Sequence, residues 1–190
     1  KRGKISQDEM DFIAERLEKL PEIVETIIRT QEEKVKQIAK KYKDAKIFFF
    51  LGRGISTATA YEGRLKLMEI AYVPSIAFPA GESKHGPISL IEPGFPVVFI
   101  CPKDDTRKTL IGNIMEMKAR GASIIAVVEE GDEEIKGLAD DWVEVPKGIP
   151  DVLSPIPFVV PLQLLAYYMA IERGYNPDTP RNLAKSVTVK

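Results

Sequence analysis

The chain has 190 residues, 44% of them hydrophobic and 29% charged, and its 27 Lys and Arg nearly cancel its 28 Asp and Glu to leave a net charge of −1. That length and apolar content suffice for one well-buried domain. The balanced charge supplies no global field that would draw the chain to nucleic acid or to an anionic membrane, so small ligands held by local groups are the better expectation.

Lys1 to Lys4 is basic, but no apolar signal segment follows it. Ser6 to Glu9 has the form of a capping box, and charged helices are predicted over residues 7–20 and 22–43, with Pro21 in the first turn of the second. The chain opens without Met, as expected of a fragment. Beyond residue 46, apolar runs alternate with helical ones: strands near 47–51, 74–78, 96–100, 123–128 and 142–145, and helices near 56–70, 105–120 and 133–139. Continuous apolar strands such as VVFIC and SIIAVV, separated by helices, predict a five-stranded parallel sheet covered on both faces, an α/β three-layer sandwich of flavodoxin-like type.

The first of these units is the most informative. Ile47 to Leu51 reads as a buried strand, Gly52-Arg53-Gly54 breaks it, and a helix restarts with Ser56 or Thr57 as its N-cap. Tyr61, Leu65, Met68 and Tyr72 recur at helical spacing and predict the buried stripe, with Glu62, Lys66 and Glu69 bordering it. A Glu and a Lys four residues apart are ordinarily a solvated pair worth about 0.2–0.5 kcal/mol. Position favours a second reading, because this helix leaves the carboxyl end of the first strand, where open parallel sheets place their ligands. The single histidine, His85, follows in the polar loop GESKHGP, and together with the three charges it suggests proton-transfer chemistry.

Cys101, the one cysteine, closes an apolar run; it reads as a buried strand-end thiol and suits a reducing cytoplasm. Ile156 to Ile171 is the longest apolar stretch, but it falls short of the ~20 residues of a membrane helix. It also carries Pro157, Pro161 and Gln163, so a buried or interface helix is expected and no membrane association. The last 17 residues, from Gly174, are polar and by composition alone read as a tail.

Five segments, FLGRG, YEGRLKLMEIAY, GESKHGPISLI, PFVVPLQLLAYYMA and DTPRNLAKSVTV, occur in order, and from about residue 46 onward the chain resembles the second sugar isomerase (SIS) domain of the glutamine–fructose-6-phosphate aminotransferase family, the glucosamine-6-phosphate synthases. The resemblance implies three parts: residues 1–45 as helices linking to a preceding SIS domain and packed on this one, 46–173 as the SIS domain, and 174–190 as a tail that closes over the sugar. It also implies an activity in which fructose 6-phosphate and glutamine-derived ammonia become glucosamine 6-phosphate, with no metal and no organic cofactor, in a cytoplasmic homodimer. In that family the base that moves the proton between C1 and C2 falls on Glu69, the histidine that opens the sugar ring, supplied to the neighbouring subunit, on His85, and the Schiff-base lysine on Lys185. Glu62 and Lys66 fall where the family lines its substrate cleft.

Two positions depart from the family pattern: Met68 stands where KLKEI has a lysine, and Arg64 where EGALKL has a small residue. The family's phosphate loop, of the form S-x-S-G-E-T, and its N-terminal nucleophilic cysteine have no counterpart here, so the missing first SIS domain and the glutaminase domain are expected partners and the fragment alone is expected to be inactive. The competing expectations are a two-SIS deaminase or isomerase of amino-sugar phosphates, and a sugar-phosphate-sensing module without turnover.

Overall fold

The structure, a computed structural model, describes residues 5–183. Two helices come first, α1 (Gln7–Glu18) and α2 (Leu20–Tyr42). Five strands follow, β1 (Phe48–Gly52), β2 (Ser75–Pro79), β3 (Pro96–Cys101), β4 (Ser123–Glu129) and β5 (Asp141–Val145). Between and after them run α3 (Ser56–Ala71), α4 (Arg107–Lys118), the short α5 (Glu133–Lys136) and α6 (Pro155–Glu172). All strand pairings are parallel, in the order β2-β1-β3-β4-β5.

The strands read as unbroken apolar runs because both faces of the sheet are covered. Phe48 and Phe50 of β1 point to one side, into a core with Ile27 and Val35 of α2, Leu67 of α3 and Phe158 and Met169 of α6. Phe49 and Leu51 point to the other, joining Leu110, Ile114 and Met117 of α4 and Ile135 of α5. The period of two along each strand thus serves two separate cores.

The N-terminal helices differ from each other. Helix α1 is capped as expected, the Ser6 hydroxyl accepting from the Glu9 amide at 3.1 Å, but it buries no residue. Helix α2 is part of the core layer and is tied to β5 across the sequence, with Tyr42 donating to Asp141 at 2.7 Å and the Glu144 amide donating to Gln31 at 3.0 Å.

The expected face of α3 is corrected. Neither Ser56 nor Thr57 caps the helix: the N-cap residue is Ile55, with no side-chain cap bond, and the Thr57 hydroxyl instead donates back to the Gly52 carbonyl at 3.3 Å. The buried residues are Ser56, Thr59, Ala60, Gly63, Leu67 and Ala71, while Tyr61, Leu65 and Met68 are exposed. The cause is close packing on α6. A Cβ placed on Gly63 would lie 2.5 Å from Leu162 Cδ1, so no larger side chain fits at that contact; of the bulky apolar residues Leu67 stays inward, and Tyr61, Leu65 and Met68 are turned outward.

Helix α6 begins after a 3₁₀ turn at Asp151–Leu153, and the helical stretch Asp151–Glu172 is long and apolar enough to cross a membrane by length and composition. Its Pro157, Phe158, Pro161, Leu162, Leu165, Ala166, Met169 and Ala170 are buried against α2, α3 and the sheet, so its apolarity is that of a core helix. The Gly63 contact gives a direct test. Gly63→Val should lower the stability of the fold by about 1–3 kcal/mol through overpacking, read as a shift in the denaturation midpoint. A change below about 0.5 kcal/mol would mean that α6 retreats freely.

Candidate functional site

Three charged residues lie on one outward face of α3 because they are spaced four and three apart. Lys66 Nζ donates to Glu69 Oε2 at 2.7 Å and sits 3.4 Å from Glu62 Oε1. The bond to Glu69, with the Glu62 charge behind it, raises the Lys66 pKa above the ordinary lysine value against the opposing effect of partial burial. Lys66 is therefore held as a cation beside two carboxylates.

Beside it, Lys66 and Ile70 of α3, Gln163 and Tyr167 of α6, Ile28 of α2 and Asp178 of the tail line a cavity of about 410 Å³, within the range of small-molecule sites. A larger groove of about 880 Å³, between Leu17, Leu20, Val24 and Ile28, carries charge only at its Glu25, Arg29 and Glu32 margin. We assign the site to the smaller cavity, because it adjoins the Glu62–Lys66–Glu69 cluster and is lined by Asp178 of the returning C-terminal segment.

The C-terminal segment returns to this end of α3. Gly174, at φ 76°, turns the chain out of α6, and the Tyr175 amide closes the turn on the Ala170 carbonyl at 2.9 Å. The Tyr175 ring meets Tyr72 edge-on at 4.8 Å, the Arg181 amide donates to the Tyr72 hydroxyl at 2.8 Å, and the Arg181 guanidinium stacks 4.0 Å from the Tyr72 ring centre. The segment as far as Arg181 thus returns to the domain. Lys185 lies outside the described residues.

His85 is not brought to this cluster within one chain. Strand β1 runs up to its carboxyl end at Gly52, α3 runs back down, and β2 starts beside Phe48. Glu69 is 13 residues into α3, about 20 Å down the helix axis at 1.5 Å per residue, near the amino ends of the strands. His85 follows β2 and lies at the carboxyl ends, in a 3₁₀ turn (Ala80–His85), with 74% of its side chain exposed and Nε2 4.0 Å from Glu82 Oε2. The expectation that the charge cluster occupies the carboxyl-end crevice is therefore corrected. There, Arg53 packs against Gly81, whose added Cβ would lie 2.7 Å from the guanidinium, and donates to Asn113 at 3.2 Å, with Ser83 buried.

The sequence placed Tyr72 in the stripe expected to be buried and Gln163 within an apolar helix, and assigned neither of them, nor Asp178 or Arg181, to the site. The signal for Tyr72 was present in its place at the end of a helix with no glycine after it, where a left-handed residue is usual. Among the described residues, no three His, Cys, Asp or Glu side chains converge as metal ligands. The arrangement offers a cation held between two carboxylates, able to stabilise a developing negative charge. Lys66 engages Glu69 through Oε2, which leaves Oε1 of Glu69 as the oxygen able to exchange a proton with a ligand.

The family model described as SIS domain matches residues 41–173. The chain is 47% identical over 188 residues to a glutamine–fructose-6-phosphate aminotransferase (isomerizing) of Thermococcus kodakarensis, covering 99% of this chain and 31% of that protein. It is 47% identical over 189 residues to the enzyme of the same name from Thermus thermophilus, covering 100% of this chain and 31% of that protein. The chain thus spans about a third of the length of the curated relatives it matches. Among solved structures, the C-terminal domain of glucosamine-fructose-6-phosphate aminotransferase from Francisella tularensis superposes with a TM-score of 0.84 at 32% identity, over 90% of this chain and 48% of that one.

The ion pairs of Lys66 are largely solvent-facing and should matter little to folding. Lys66→Met is expected to shift stability by less than about 1 kcal/mol, read as the urea midpoint at unchanged m-value. A larger loss would make the cluster a structural device.

Proposed function

The chain belongs to the SIS domain family, and on that footing we propose that it is the second sugar isomerase half of a glutamine–fructose-6-phosphate aminotransferase. In this reading residues 1–45 link it to a first SIS domain, 46–173 form the second, and 174–190 contribute the tail to the site. The substrate is fructose 6-phosphate, the product is glucosamine 6-phosphate, and the ammonia comes from glutamine cleaved by a further domain. The whole enzyme is a cytoplasmic homodimer, and this part alone turns over little or nothing.

The observation that carries the reading is the Glu62–Lys66–Glu69 cluster beside a ligand-sized cavity, with the C-terminal segment returning to the same end of α3. Glu69 takes the proton from one sugar carbon and returns it to the next, which turns a ketose imine into an aldose amine. Lys66 offsets the negative charge that grows on the sugar as the proton leaves, and Glu62 holds Lys66 in place. Lys185 condenses with the C2 carbonyl of the ketose, an assignment supported by the position of Lys66, whose paired and protonated amine is poorly suited to attack.

His85 opens the sugar ring in the site of the partner subunit. Support for that crossing is the topology, which sets Glu69 and His85 at opposite ends of one sheet, and the exposed Tyr61, Leu65 and Met68 face next to Glu69, which suits a protein contact.

In the complete protein, Glu69→Gln should keep sugar binding and glutamine hydrolysis while isomerisation falls by about 10²–10⁴, the usual loss on removing a general base. Mixed dimers of Glu69→Gln and His85→Gln subunits should regain activity, because one of the two sites then has both groups. No recovery on mixing would place both groups in one subunit's site, and a Glu69→Gln rate within a few-fold of wild type would shift the base to Glu62.

Borohydride reduction in the presence of fructose 6-phosphate, followed by peptide mapping, should find the sugar on Lys185. Label on Lys66, or normal turnover by Lys185→Ala, would reduce the tail to a cover.

A further inference from the structure

Helix α3 ends at Ala71, and the next residue, Tyr72, has φ 56° and ψ 34°. A left-handed residue is a common way to stop a helix, but glycine is the usual occupant, and a bulky aromatic there is an outlier. Among the described residues the only other non-glycine with positive φ is Asn182, at φ 62°. The two meet at one place, because Asn182 directly follows Arg181, whose amide donates to the Tyr72 hydroxyl at 2.8 Å. The Tyr72 ring is engaged as well, by the Tyr175 ring in a T-shaped contact at 4.8 Å and by the Arg181 guanidinium at 4.0 Å. Uncommon backbone held in place on both sides of a contact marks a geometry that its surroundings over-determine, and such places cluster at functional sites.

We propose that Tyr72 is a positioning residue that latches the C-terminal segment at Arg181 and so sets the register in which the chain approaches the Glu69 end of α3. The claim rests on the assignment of Lys185 above and goes beyond it by naming what delivers that residue. Tyr72 lies three residues after Glu69, under one helical turn, about 4.5 Å along the axis. Lys185 is four residues past Arg181, so its Cα lies within roughly 14 Å of the latched Arg181 Cα whatever its conformation. A chain anchored at Arg181 therefore has a shorter reach than one released at Gly174, eleven residues before Lys185. The hydrogen bond and ring contacts described for Tyr72 are to Tyr175 and Arg181 of the tail, so the residue acts through Lys185 and not on the sugar.

The test uses Tyr72→Phe, which keeps the ring and loses the acceptor, and Tyr72→Gly, which suits the backbone and loses both. In this chain, amide exchange at Arg181 should quicken about fivefold in Tyr72→Phe, the loss of one neutral hydrogen bond, and at least tenfold in Tyr72→Gly. In the complete protein Tyr72→Gly should lower kcat on the order of 10- to 100-fold, as expected of a misplaced catalytic group. The KM for fructose 6-phosphate should stay within about threefold, and Tyr72→Phe should recover most of kcat. Unchanged Arg181 exchange in Tyr72→Gly overturns the latch, and faster exchange with kcat within twofold of wild type overturns its positioning role. If Tyr72→Gly does not fold, the Tyr72→Phe exchange rate decides. Should Glu69→Gln leave isomerisation untouched as well, it is the proposed activity that fails, and Arg181 exchange still decides the latch.

Discussion

The close approach of α3 to α6 at Gly63 and Leu162 is the constraint on which the rest depends. With no Cβ at Gly63 the two helices pack at short range, and that fixes the rotation of α3 about its own axis. Small side chains go inward, and Glu62, Lys66 and Glu69 therefore go outward, next to the cavity that α6 walls on its other side. Helix α6 ends at Glu172, and the Gly174 turn then releases the segment that returns to Tyr72. Packing and charge placement thus share one origin in a helix face lined with serine, threonine, alanine and glycine around a single leucine, Leu67.

Much of the architecture was legible because the signals were strong. Five apolar runs bounded by turn residues fell within a residue or two of β1 to β5, since strands buried on both faces leave no ambiguity of face. What failed was the assumption that the largest apolar side chains of α3 point inward. Tyr61, Leu65 and Met68 have the right spacing, but spacing shows only that a stripe exists and cannot say which of two stripes a neighbour will accept. The choice was made by Leu162, nearly 100 positions away, which no local pattern reveals.

The separation of Glu69 from His85 was hidden for a related reason. The two are 16 residues apart in sequence, which invites a single site, but the span between them includes a full strand running the length of the sheet. The polar, proline-bearing tail was dismissible by composition because its contacts are made to Tyr72, more than 100 residues earlier. The identity of the charged trio, by contrast, was legible at once, since helical spacing alone places Glu62, Lys66 and Glu69 on one face.

Cys101 carries a consequence of a different kind. It ends β3, the middle strand of the sheet, is fully buried, and burial pushes its thiol well above the ordinary cysteine range. As the single cysteine of the sequence it lies in the core between the sheet and the α4 and α5 cover, so it is alkylated in molecules whose core has opened there and not in those whose tail alone has frayed. The protein thus contains its own clock for cooperative opening: the rate at which a thiol reagent labels it under native conditions reports the sheet, separately from any signal that follows the site.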